Sequence, residues 1–288
     1  MNTMRVGRIP YVNCYPVYGA IDRGIVSLKG DIVDGVPSVL NAHMAAGTLD
    51  VSVVSAVEYA RDAQRYLLLP DLAISCDGPV RSVVLFSRRP ASELAGRRVL
   101  VSKSSMTSVA LLELLFENVW DSKPTFVPSD AEVTDIARFA DEEHEARLVI
   151  GDAALKLGTH LQDPGERDAL MDRLGYRYAY DLGAEWKRWT DLPFVFAVWV
   201  AQRTTDTRQA LDAHASLIES RNWGLVHLDT LAAQAALATG VPRAACQTYL
   251  SGLDYGLSYG HLAGLTEFFR RLVATGRVPN GSLSFLAA

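Results

Sequence analysis

Two stretches decide how this chain folds: Val80-Arg81-Ser82-Val83-Val84-Leu85-Phe86-Ser87 and Phe194-Val195-Phe196-Ala197-Val198-Trp199-Val200-Ala201. Both are extended and largely apolar, as strands buried on both faces are. The first follows the turn signal Gly78-Pro79. Between them lies one α/β set, and before them lies another. If the two stretches are the crossings between lobes, residues 1–87 plus 199–288 form one lobe and residues 88–198 the second.

The flanking sequence supports that division. Before the first crossing, Val6–Ile9, Asp50–Val54 and Leu67–Leu69 read as strands. They alternate with helices opened by Pro16 and Pro37 and a short helix at Glu58–Ala63. In the Pro37 helix, Val39, Leu40, His43 and Met44 fall at helical spacing, with Gly47 as its stop. Between the crossings, Arg97–Val101, Ala146–Ile150 and Tyr176–Asp181 read as strands. Thr107–Val119 and Ala131–Glu143 read as helices, and a short helix bears Trp186 and Trp189. After the second crossing the chain is helical over Thr205–Arg221, Asp229–Ala238 and Leu262–Ala274. The continuous apolar runs suggest parallel sheets. Helix-rich terminal sequence returning to the first lobe is the pattern of a two-lobed α/β, type II periplasmic-binding-protein-like fold. Ligands in such folds sit in the crevice, near helix N-termini and the carboxyl ends of strands.

Composition narrows the partners. The 288 residues are 49% hydrophobic and 21% charged, which is ordinary globular usage. A net charge of -5 argues against nucleic acid or an acidic membrane, both of which call for surplus Lys and Arg. It leaves room for a small anion in a locally positive pocket. Cys14, Cys76 and Cys246 are far apart with no CxxC pair, so neither a disulfide framework nor a zinc knuckle is indicated. The six histidines show no metal-ligand spacing. No signal-peptide pattern and no apolar run of membrane-spanning length is visible, so a cytoplasmic location is expected.

Five segments could carry chemistry. Tyr11 and Asn13 follow the first strand, where Asn13 either caps a helix or faces the cleft. Ser55 ends a strand and carries the same two readings. Arg81 and Ser82 lie at the first crossing, where the serine either bonds to backbone or points into the cleft. Ser104, Ser105, Thr107 and Ser108 open a helix. Free N–H groups and hydroxyls there make an anion site, with a dipole worth about 0.3–1 kcal/mol when exposed. Hydroxyls at helix starts are also common caps. Asp152 and Ala153 follow Gly151, where small residues admit a ligand close to backbone. Trp186, Trp189 and Trp199 read as packing residues.

The order of these segments is distinctive. Ile9-Pro10-Tyr11-Val12-Asn13, Gly35-Val36-Pro37-Ser38-Val39-Leu40-Asn41 and Ser55-Ala56-Val57-Glu58-Tyr59-Ala60 are followed by Gly78-Pro79-Val80-Arg81-Ser82-Val83. Gly151-Asp152-Ala153-Ala154-Leu155, Asp181-Leu182-Gly183 and Leu192-Pro193-Phe194-Val195-Phe196 complete the series. Over nearly the whole chain this resembles the MqnA family of chorismate dehydratases, in the futalosine route to menaquinone. The resemblance implies loss of water from chorismate to give 3-[(1-carboxyvinyl)oxy]benzoate, with no metal or organic cofactor. It places the family's cleft Asn and Ser on Asn13 and Ser82. A homodimer is compatible with it, although no interface is legible in the sequence.

The matched cleft segments offer no convincing His, Cys or Lys base, and their only carboxylates are Glu58 and Asp152. This motivates a reading in which the enolpyruvyl carboxylate of the substrate takes the ring proton. Three rivals stand beside it. They are the sister lyase acting on cyclic dehypoxanthinyl futalosine, a transport-type binding protein, and the sensing module of a regulator. The first calls for a cleft histidine, and His43, His144 and His160 have no obvious place there.

Overall fold

A computed structural model describes residues 3–129, 143–161 and 163–287. The chain opens with β1 (Arg5–Arg8), α1 (Tyr15–Asp22), β2 (Asp31–Asp34), α2 (Pro37–Ala45), β3 (Val51–Ser55), α3 (Ala56–Arg61) and β4 (Tyr66–Cys76). It continues through β5 (Val83–Ser87), β6 (Arg98–Ser102), α4 (Met106–Asn118), β7 (Thr125–Ser129) and β8 (Ala146–Ile150). Then follow α5 (Gly151–Gly158), α6 (Pro164–Leu174), β9 (Tyr178–Asp181), α7 (Leu182–Thr190) and β10 (Phe194–Gln202). Four helices end it: α8 (Thr207–Val226), α9 (Leu228–Thr239), α10 (Arg243–Ser251) and α11 (Tyr259–Ala274). The helix expected over residues 131–143 lies outside the described residues except for its last position.

The strands form two sheets with one plan, β2-β1-β3-β10-β4 and β7-β6-β8-β5-β9. In each, the first three strands run parallel. The fourth is antiparallel to both its neighbours. The sheets are therefore mixed, which corrects the expectation of parallel ones. The reason is topological, because the fourth strand of each sheet arrives from the other lobe and enters against the grain. Strand pairing also divides the two decisive stretches differently from the expected lobe limits. Among the described residues, Val83–Ser87 pairs within the second sheet alone, and the whole of Phe194–Gln202 lies in the first.

The crossings themselves are thus short, running from Asp77 to Ser82 and from Asp191 to Pro193. Positive φ at Gly78, Arg81 and Asp191 lets the chain turn sharply there. Two side chains hold the turns. Asp181 caps α7 through Ala184 N–H at 3.0 Å, and its carboxylate also accepts from the N–H groups of Val80 at 3.0 Å and Arg81 at 2.7 Å. Lys187 ties the crossings to each other, with Nζ 2.9 Å from Asp77 and 3.0 Å from Asp191. The Trp indoles pack as expected: Trp186 and Trp199 are fully buried, and Trp199 donates to Tyr18 Oη at 3.1 Å.

Candidate active site in the crevice

The carboxyl ends of the strands and the starts of the helices that follow them meet between the sheets. The first lobe contributes Ile9, Tyr11 and Asn13 after β1, Pro37, Ser55 at the end of β3, Ile74, and Phe196 with Ala197. Facing them are Val80, Ser82 and Val83, Ser105 and Ser108 at the start of α4, and Ile150 with Gly151. The space between these walls is partly open to solvent. Its polar side chains among the described residues are hydroxyls and one amide, set among aliphatic side chains and Phe196.

Asn13 sits on a single tight turn, Val12–Cys14, and makes no capping bond there or at α1. Its Oδ1 is buried and has no hydrogen-bond partner. An unmet acceptor of this kind costs about 1–3 kcal/mol. Ser82 is buried on the same crevice, with a long contact of 3.4 Å to Val80 O and the Tyr249 hydroxyl close by. Its carbonyl accepts from Gly151 N–H at 2.9 Å, which ties the crossing to the start of α5. Gly151, at φ +65, lies under the Tyr11 ring, and a Cβ there would stand 3.3 Å from it.

At α4 the hydroxyls divide. Ser105 caps the helix by accepting from Ser108 N–H at 3.3 Å and donates to Ser108 Oγ at 2.8 Å, so both face the cleft as a pair. Thr107 instead turns away, its Oγ1 accepting from Val57 N–H of α3 at 3.2 Å and so joining the lobes. Ser104 bonds through its N–H to Ser102 Oγ, and neither it nor Ala153 lines the crevice. Arg81 also lies elsewhere. Its side chain borders a separate cavity with Leu155, Gly158, Thr159, Ala245 and Thr248.

Of the two carboxylates, Glu58 turns from the cleft and accepts from Tyr66 Oη at 3.0 Å within the first lobe. Asp152, in the first turn of α5, reaches across the lobes and accepts from Val12 N–H at 3.1 Å. Burial raises its pKa from 3.8 to about 6, against the lowering effect of that N–H. The stability this group supplies is complete below pH 3.8 and is lost as pH rises through about 6, because the buried anion is the disfavoured form. The loss amounts to at most about 3 kcal/mol. Asp152→Asn keeps the acceptor without the charge. Denaturant melts across this pH range are expected to show a flattened pH dependence and a variant at least as stable as wild type at neutral pH.

Sequence reasoning misses Asn41. The buried face of α2 is Leu40, Asn41 and Met44, whereas Val39 and His43 point outward. A polar residue within an apolar helical stripe is the signal that could have found it. No histidine, lysine or cysteine lines the crevice among the described residues. The free cysteines are buried, and no group of metal-ligating residues occurs among the described residues.

Fold and site together define a two-lobed protein of periplasmic-binding-like fold with a hydroxyl-lined crevice. A protein from Archaeoglobus fulgidus matches it with a TM-score of 0.74 at 20% identity, covering 96% of this chain and 98% of its own. The alkanesulfonate-binding protein SsuA from Xanthomonas axonopodis pv. citri, bound to MOPS, matches with a TM-score of 0.61 at 15% identity, over 97% and 95%. These are likenesses of fold. The chain belongs to the family described as Menaquinone biosynthesis, whose sequence profile matches residues 4–274. It is 32% identical to the chorismate dehydratase of Thermus thermophilus over 268 residues, 91% of this chain and 95% of that one. A chorismate dehydratase of Campylobacter jejuni is 26% identical over 198 residues, 67% of this chain and 66% of that one.

Proposed function

We propose that this chain is a chorismate dehydratase, a carbon–oxygen lyase that removes water from chorismate in its crevice to leave 3-[(1-carboxyvinyl)oxy]benzoate. Asn13 and Ser82 are its catalytic residues in this reading. Tyr11, Ser55, Ser105 and Ser108 complete the binding wall, and a cytoplasmic protein needing no added cofactor is the setting. The lobes divide at the two short crossings.

The chemistry follows from the substrate. The ring C–H at the carbon bearing the enol ether is acidified by conjugation through the diene to the ring carboxylate. Loss of the neighbouring hydroxyl as water then creates a benzene ring, so the overall step is strongly downhill. What the protein has to supply is orientation and placed hydrogen bonds. One observation carries the reading of the base: among the described residues, the polar side chains lining the crevice are hydroxyls and an amide with an unpaired oxygen, with no side-chain base. The enolpyruvyl carboxylate, tethered beside the ring C–H, takes the proton, while Asn13 and Ser82 hold it and the departing hydroxyl. The lack of a histidine among the described crevice residues also weighs against the sister lyase.

The test is incubation of the purified chain with chorismate, followed by ultraviolet absorbance and mass. Loss of one water with the enolpyruvyl group retained is expected. Tight binding without change would mean a binding protein, and release of 3-hydroxybenzoate and pyruvate would mean another reaction. Asp152→Asn separates the two candidate bases. Turnover is expected to persist, whereas a fall of about 10²–10⁴-fold with binding intact would make Asp152 the base.

A further inference from the structure

Asn41 lies in the buried stripe of α2, 3% exposed, and its amide makes three contacts. Its Oδ1 accepts from Ser55 N–H at 3.1 Å, and its Nδ2 donates to Ser55 Oγ at 3.1 Å. The remaining Nδ2 proton faces Met106 Sδ of α4, across the crevice, at 3.2 Å. Only one orientation of this amide is allowed. A backbone N–H can only donate, so the atom opposite Ser55 N must be the oxygen, and the nitrogen must therefore meet Ser55 Oγ. The amide nitrogen has no lone pair to offer, so Ser55 Oγ is the acceptor in that bond and its own proton has to point elsewhere. Ser55 makes no capping bond at α3, no other bond of its hydroxyl is found among the described residues, and the residue lines the crevice.

We propose that Asn41 is a positioning residue that fixes Ser55 as a one-way donor, aiming its hydroxyl proton at a carboxylate oxygen of the bound substrate. This rests on the reading of the crevice as the chorismate site. It gives the first lobe a directed donor opposite the Ser105–Ser108 pair of the second lobe, so a molecule with two separated carboxylates meets hydroxyls on both walls. Ser55 would already bond the carboxylate in the bound substrate, so its loss is read in KM, and because either carboxylate changes charge as the proton moves, kcat changes with it.

The experiment is a cycle of Asn41→Asp, Ser55→Ala and the double variant, with KM and kcat measured for chorismate. A carboxylate at position 41 still accepts from Ser55 N–H, but its second oxygen now draws the hydroxyl proton inward. Each single variant is expected to raise KM about 10- to 100-fold, the range for a hydrogen bond to a charged group. The double variant is expected to be no worse than the poorer single one. If the introduced carboxylate acted merely through its negative charge, or by loosening α2, its effect would persist in the Ser55→Ala background and the two effects would multiply. That result overturns the proposal, as does a wild-type KM in Asn41→Asp. Should that variant not fold, Asn41→Ala carries the same cycle with the same criterion. A wild-type chain that neither binds nor converts chorismate would instead overturn the functional reading beneath it.

Discussion

Asn13→Ala is expected to lower kcat for chorismate by about 10²–10³-fold, the usual cost of removing one placed polar partner of the transition state. The same variant is expected to be as stable as wild type or more stable. That combination is the informative part. Asn13 Oδ1 is buried without a partner, so the folded protein carries its desolvation cost, and truncation relieves it. A capping asparagine would behave in the opposite way, losing about 0.5–2 kcal/mol of stability on truncation. Steady-state kinetics with chorismate and a denaturant melt on the same preparation decide the matter. Unchanged turnover with a lowered midpoint would return Asn13 to the role of a turn residue.

The second large effect is expected at the crossing. A Cβ on Gly183 would stand 2.5 Å from Gly78 O, 2.8 Å from Cys76 Sγ and 3.0 Å from Val80 N, so there is no room for it without moving the chain. Those atoms belong to the segment that Asp181 holds through the N–H groups of Val80 and Arg81, and Ser82 follows directly. Gly183→Ala is therefore expected to cost about 1–3 kcal/mol or more from overpacking, and to lower kcat by displacing Ser82. Gly165→Ala is the control, because a Cβ there meets only Asp163 Oδ1 at 3.4 Å. A Gly183→Ala protein with wild-type midpoint and turnover would show that the crossing yields freely.

Much of this architecture is legible in the amino-acid order because strands buried on both faces are written as unbroken apolar runs. Residues 83–86 and 194–201 show it plainly. What escapes that reading is two of the edge strands. Strand β2, Asp31-Ile32-Val33-Asp34, is charged at both ends and half exposed, and β7 carries Pro128 on the rim of its sheet. Strand β4 is legible only at its start, because Pro70 and Asp71, the latter at φ +55, interrupt an otherwise continuous strand. Direction is less legible still. Apolar runs report burial, and nothing in Val83–Ser87 itself says that it enters its sheet antiparallel.

The site divides along the same line. Tyr11, Asn13, Ser55 and Ser82 are readable as crevice candidates from their places beside the strands, although for the last three position alone leaves a cap or backbone role equally open. The hydroxyls of α4 are not sorted by position, since Ser105, Thr107 and Ser108 share one short segment but face in different directions. Thr107 spends its hydroxyl on Val57 N–H, a partner 50 residues away. Arg81 adjoins Ser82 yet borders a different cavity, because its backbone at φ +62 turns the chain sharply there. Asn41 is hidden because its importance lies in a bond to Ser55 that only the folded chain makes.

The placement of β10 between β3 and β4 has a consequence for synthesis. Both partners leave the ribosome long before the strand that joins them, since β4 ends at Cys76 and β10 begins at Phe194. At a translation rate of about 5–20 residues per second, that interval is on the order of ten seconds. During it the second lobe emerges complete except for its neighbours, while the first waits with two strand edges uncovered. Folding of the first lobe is therefore tied to translation of the second, and the half-built sheet is the stage at which the nascent chain is most open to chaperones and to aggregation.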